Sequence, residues 1–287
     1  MDKSEARKLI KQARAAWDAE EWLSAAELYE RVLAHFPDLE SSAVWWYDAA
    51  LAHKFLRNWA KAYELGKEAA ARSPRGKGDP AYWNLGIAAT IQRDWATARD
   101  AWAGFGIELP DGQGQIEARL GYACVRLDTG GEREVVWIER LCPTRGRVVS
   151  VPVTGGRRYG EIVVHDGEPK GERTVEGSAY PVFDELLIFE ASPLPTLEVT
   201  VAAGEAADLE ALVELFTGHG FGAEPASSVR MLCACCSEGT HAQERAVEAG
   251  AQQVSLAAPE EEARRLLERW AAKTVTGRSW SGLAAVG

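Results

Sequence analysis

Ala81-Tyr82-Trp83-Asn84-Leu85-Gly86-Ile87-Ala88-Ala89, followed by Asp94-Trp95-Ala96-Thr97-Ala98 and then Trp102, Phe105 and Pro110, decides how the first half of the chain folds. Large and small residues alternate there at helical spacing on both sides of a polar break, the pattern of two antiparallel helices joined by a short turn. Small Gly86 and Ala98 fall where two helices can touch, and Tyr82, Trp95 and Trp102 fall where bulk fills the space around them. Pro110 is expected to end the second helix.

Outward from this stretch the pattern recurs twice. Trp22-Leu23-Ser24-Ala25-Ala26 through Pro37 and Trp59-Ala60-Lys61-Ala62-Tyr63 through Pro74 carry the same aromatic, small-residue and proline order, and Trp22, Trp59 and Trp95 are 37 and 36 residues apart. The three copies resemble tetratricopeptide repeats, helix-turn-helix units of about 34 residues that bury their apolar faces by stacking on one another. The resemblance covers residues 4–128 only. It implies an all-α solenoid of three hairpins, closed by a capping helix expected over Gln115–Leu127, with Asp128-Thr129-Gly130-Gly131 as the domain boundary.

Beyond Glu132 short runs rich in β-branched and aromatic residues alternate with Gly and Pro, which predicts a small sheet or barrel over 132–192. Asp166-Gly167-Glu168-Pro169 reads as a tight turn between two of its strands. After Ser192-Pro193-Leu194-Pro195, strands at Leu197–Val201, Val229–Ala234, Val254–Leu256 and Trp280–Val286, with helices from Glu205 and Pro259, give the order βαββαβ over 195–287. That order suggests a ferredoxin-like domain. The expected class is therefore α+β and multidomain.

The chain has 287 residues, 46% of them hydrophobic and 26% charged, and a formal charge of -11. Roughly -2 of that charge lies before residue 130 and -9 after it. Such acidity opposes nucleic-acid binding, which rests on clustered Lys and Arg, and binding to anionic membranes. No run approaches a membrane span or a signal sequence, so a cytoplasmic protein is expected. Five cysteines, three of them crowded into Cys233-Ala234-Cys235-Cys236, fit a reducing compartment better than a disulfide framework.

The repeat resemblance implies a concave groove lined by the first helix of each hairpin. The matching positions are Ile10, Arg14 and Trp17, then Val44, Tyr47, Asp48, Leu51 and Phe55, then Trp83, Asn84, Ile87 and Ile91. Aromatic and aliphatic anchors with a few polar groups suit a protein or peptide partner, although such residues also pack between adjacent helices. Some members of the family clamp a C-terminal carboxylate with Lys, Asn and Arg. The corresponding residues here are Ile10, Arg14, Asp48, Pro80 and Asn84, and Asp48 would repel an anion.

Cys233, Cys235 and Cys236 with His241 have the ligand types of a zinc or copper(I) site, or of a redox-active thiol. Their spacing argues against metal, because adjacent strand residues face opposite ways and no second pair exists elsewhere; buried core thiols are the plainer reading. His165-Asp166 is read as an exposed His beside a turn Asp rather than an acid–base pair, and no nucleophile, zinc-protease or phosphate-loop motif is present. The sequence thus points to a non-enzymatic adaptor without a cofactor. A bacterial regulator, chaperone or immunity protein suits it, with a metal- or thiol-dependent C-terminal domain as the alternative.

Overall fold

The computed structural model describes residues 1–128, 133–153, 155–175, 177–226, 239–242, 250–272 and 277–286. The chain divides into two compact units, Met1–Ala118 and Arg119–Gly287. The first is helical and the second is built on two sheets, so the protein is α+β.

The helical unit comprises α1 (Lys3–Asp18), α2 (Trp22–Leu33), α3 (Ser42–Phe55), α4 (Trp59–Ala71), α5 (Pro80–Ile91) and α6 (Trp95–Phe105), each packed on the next along the chain. Short polar residues start several of them. Asp2 accepts the Ser4 and Glu5 N–H groups at 2.7 and 2.8 Å, Asn58 accepts from Lys61, and Asp94 accepts from Thr97. The three within-hairpin turns share one backbone device: Glu20, Arg57 and Arg93 are all left-handed, with φ of 57, 55 and 59°. These residues repeat at the same 37 and 36 spacing as the tryptophans, so the periodicity of the sequence is also a periodicity of backbone conformation.

The hairpins close tightly where glycine permits. A Cβ on Gly86 would lie 2.6 Å from the Trp102 ring, and one on Gly104 would collide with the Tyr82 ring. Trp102 is consequently fully buried, beside Ala98 and Ala101. Helix α6 stops at Phe105 rather than at Pro110, because Gly106 takes a left-handed conformation with φ of 110° and ends the hydrogen-bonded ladder.

The capping helix expected over Gln115–Leu127 does not form. Left-handed Arg119 and Gly121 interrupt that run, and Tyr122–Asp128 is instead strand β1, paired antiparallel with β2 (Arg133–Cys142). Ala123, Val125 and Leu127 join one core cluster at a spacing of two, which fits β1; the apolar spacing that had suggested a helix was equally compatible with a strand.

In the second unit β1 and β2 join β3 (Arg145–Val148), β4 (Ile162–Val175) and β5 (Ser178–Glu190) in a ring, since β3 also pairs with β4 and β1 with β5. Five strands running alternately up and down must close with first and last parallel, and β1–β5 is that parallel pair. Ala123, Val125, Leu127, Val136, Ile138, Val148, Val163 and Phe183 fill the interior. Asp166-Gly167-Glu168-Pro169 is not a turn between strands. It lies inside β4, where the register against β5 shifts between His165 and Pro169 and again before Gly171; the hairpin turns beyond Val175, which pairs with Ser178.

The other sheet has the order β10-β6-β9-β7, formed by β6 (Thr196–Ala203), β7 (Gly222–Pro225), β9 (Gly250–Ala257) and β10 (Ser279–Ala285), all antiparallel. Helices α7 (Ala206–Thr217) and α8 (Glu260–Ala272) cover one face, and Leu197, Val199, Val201, Leu209, Phe216, Leu266 and Trp270 form the core between them. The position expected for a strand at Val229–Ala234 is occupied by β7, and Val229–Ala234 itself lies outside the described residues. A four-residue strand β8 (Gly239–Ala242) runs parallel to β4 in the first sheet.

Candidate interaction surface

The first helices of the three hairpins position most of the groove candidates, and burial separates them into framework and surface. Ile10 and Ile87 are core residues, with Ile87 fully buried, so neither faces a ligand as the repeat alignment had placed them. Eight of the twelve residues of α5 are buried, and its apolar pattern runs round most of the helix, so no one face could be told from sequence. Arg14, Val44 and Phe55 are exposed, and Trp17, Tyr47, Asp48, Leu51, Trp83, Asn84 and Ile91 are half-buried.

Local chemistry distinguishes the half-buried members. Asp48 is hydrogen-bonded to the Tyr29 hydroxyl and lies near Arg14, yet burial dominates and raises its carboxyl above the ordinary range. The Tyr29 phenol is itself raised, by burial first and by the neighbouring Asp48 charge next. Asn84 accepts a hydrogen bond from Lys54 Nζ at 3.1 Å, which ties α5 to α3. Trp83 packs edge-on against Trp102 and Phe105, at centroid distances of 5.2 and 4.9 Å, so much of its ring belongs to its own hairpin.

Two polar groups that the sequence does not advertise support this surface. Lys54 and His53 are both buried at the end of α3; Lys54 orients Asn84, while His53 Nε2 meets Glu30 at 2.7 Å. Glu30 also takes Lys61 Nζ at 2.9 Å, and burial, which opposes ionisation, is overcome by these partners, leaving its carboxyl below the ordinary range. The partners are 23 and 31 residues apart, so only repeat-to-repeat alignment could have hinted at the link.

The structure brings Trp17 and Phe55 together with Trp22. Their ring centroids lie 5.1 Å apart for Trp17–Trp22, 4.6 Å for Trp22–Phe55 and 6.1 Å for Trp17–Phe55. In sequence Trp22 only marks the repeat period; its place between two groove candidates is not visible there.

In the second unit His165 is fully buried, not exposed as expected. It stacks on Phe183 at 4.5 Å with Nδ1 donating to the Asp166 carbonyl at 2.6 Å, and burial lowers its pKa to about 4. Asp166 accepts the Gly167 N–H, so its carboxylate serves the bulge rather than an acid–base pair. Cys124 and Cys142 are free and buried, and burial pushes the Cys124 thiol up to about 12. Cys233, Cys235 and Cys236 lie outside the described residues, as does the side chain of His241 on β8. Among the described residues no three His, Cys, Asp or Glu side chains are grouped to hold a metal ion, and no helix is long and apolar enough to cross a membrane.

Arg157 sits buried between two carboxylates, with Nε donating to Glu161 at 2.9 Å and the two terminal nitrogens gripping Glu185 at 2.7 Å each. All three residues are buried, so this cluster ties β5 to the 157–161 segment that leads into β4. No protein-family model matches the chain, and no curated protein matches it.

Proposed function

We propose that the protein is a non-enzymatic, cytoplasmic interaction scaffold whose helical unit is a tetratricopeptide-like array binding a protein or peptide along its first-helix surface. The observation carrying this reading is the recurrence of one hairpin, with left-handed Glu20, Arg57 and Arg93 spaced 37 and 36 residues apart and half-exposed apolar side chains on α1, α3 and α5. Val44, Tyr47, Leu51 and Phe55 supply apolar contact from one helix, and Asp48 and Asn84 supply the polar groups that fix register. The β10-β6-β9-β7 order with two helices on one face supports a ferredoxin-like assignment for the last part of the chain, as an added body without chemistry of its own.

The test is capture by crosslinking in the native host, identification of the partner by mass spectrometry, and calorimetric titration of that partner. Val44→Lys and Leu51→Lys should weaken binding at least tenfold while leaving thermal unfolding within about 2 °C, because neither side chain is core. Unchanged affinity in both variants would refute the groove as the binding surface. Trp83→Ala is unsuited to this purpose, since its ring is packed on Trp102 and Phe105.

A further inference from the structure

The turn between α1 and α2, the start of α2 and the end of α3 leave apolar side chains partly open to solvent. Phe55 is 45% exposed, Leu56 39% and Leu23 56%, and Phe55 is joined through Trp22 to Trp17 in one ring cluster. A cluster of contacting aromatic rings rimmed by charge has the anatomy of a binding anchor, because rigid rings lose little conformational freedom when covered. The charge at the α1–α2 turn is negative. Asp18, Glu20 and Glu21 are all exposed, and none of them takes part in an ion pair among the described residues. Of the exposed cations near the two ends of this ring cluster in sequence, Arg14 acts with its charge on the Tyr29–Asp48 pair, and Arg57, two residues after Phe55, has contacts of its own.

We infer that this edge receives a short basic amphipathic segment of a partner protein, with aliphatic side chains seated on Trp22, Phe55 and Leu23 and Lys or Arg facing Asp18, Glu20 and Glu21. The inference rests on reading the helical unit as partner-binding, and it names the chemistry of the partner. Three exposed carboxylates within two residues of Trp17 or Trp22 attract a cation and repel an acidic or phosphorylated segment, and the partly exposed Trp rings add cation–π attraction for the same charges. A second copy of this chain would bring the same three carboxylates to the contact, so like-charge repulsion disfavours self-association there.

The experiment is fluorescence anisotropy with the full chain and three labelled 14-residue peptides: Leu and Lys at helical spacing, the same peptide with Glu for Lys, and the same with Ser for Leu. The Leu/Lys peptide should bind and the other two should bind at least tenfold more weakly. Leu23→Ser with Phe55→Ser, and separately Asp18→Lys with Glu20→Lys and Glu21→Lys, should each reduce Leu/Lys binding at least tenfold, with circular dichroism showing an unchanged fold. Equal binding by wild type and the Leu23→Ser/Phe55→Ser variant would overturn the proposal, because the attraction would then be general to an acidic protein. Loss of binding in Val44→Lys and Leu51→Lys alone would also overturn it while sparing the groove reading. Loss only in the edge variants supports it. Light scattering that shows a dimer dissolved by the Phe55→Ser change would assign the edge to a second copy and likewise overturn it.

Discussion

Acidification should weaken the five-stranded ring before it weakens the rest of the chain, and His165 should be the cause. The imidazole is fully buried against Phe183, its Nδ1 hydrogen is committed to the Asp166 carbonyl, and burial lowers its pKa from the ordinary 6.5 to about 4. Arg140 stands over the same Phe183 ring, and its charge adds to the cost of an imidazolium, while Asp166 acts in the opposite direction and is outweighed. The folded state therefore binds its proton later than the unfolded chain does. Stability attached to His165 is fully present above pH 6.5 and is lost as pH falls toward 4. When fully expressed the loss is about 3 kcal/mol, and about 2 kcal/mol of it appears by pH 5.

The assay is hydrogen exchange of amides in β1, β4 and β5 between pH 7.5 and 5, corrected for the intrinsic pH dependence of exchange, in wild type and His165→Leu. Wild type should lose about 2 kcal/mol of protection over this range, and the variant, which cannot bind the proton, should lose far less. Other described groups act at different pH. The Glu30, Asp94 and Asp208 carboxyls are lowered, so what they contribute disappears only below their ordinary range near 4. The Glu161 carboxyl is raised by burial, so it gains a proton more readily in the fold and stabilises on acidification. Parallel loss of protection in wild type and His165→Leu would refute the assignment of the acid sensitivity to this side chain.

Further outcomes follow from packing and pairing. Gly104→Ala places a methyl group against the Tyr82 ring and should destabilise the helical unit by about 1–3 kcal/mol, read as a lowered thermal midpoint by circular dichroism. Asp94→Ala removes the acceptor shared by the Thr97 N–H, the Thr97 hydroxyl and the Tyr63 hydroxyl at 2.6–3.0 Å, and should cost about 1–2 kcal/mol in urea unfolding. Arg157→Met strands two buried carboxylates and should cost about 3–5 kcal/mol, with much of it regained when Glu185→Gln is added.

What the sequence made legible was periodicity. Three hairpins could be found because Trp22, Trp59 and Trp95 mark the same turn, and each turn needs the same left-handed residue, a local requirement repeated in the chain. Where local pattern underdetermined structure, the reading failed for identifiable reasons. The run Ile116–Leu127 satisfies helical spacing, yet Val125 and Leu127 are drawn into the ring by pairing with residues 134–136 and 183, contacts that no short window contains. His165 looked exposed because an Asp-Gly pair follows it, and that pair absorbs a bulge inside β4.

The same division explains the candidate surface. Ile87 and Leu51 are both aliphatic residues on first helices, but Ile87 belongs to a helix with eight of its twelve residues buried and Leu51 to one with six of fourteen. Repeat alignment assigns them equivalent roles because it treats every unit as if it stood in the same surroundings. Position in the stack breaks that equivalence: the first and second hairpins leave Phe55 and Leu23 uncovered, whereas the third turns its aromatics inward, Trp83 onto Trp102 and Phe105. The exposed large apolar side chains of this unit therefore lie on α2, α3 and the residues beside them, and substitutions on α5 should register first as losses of stability.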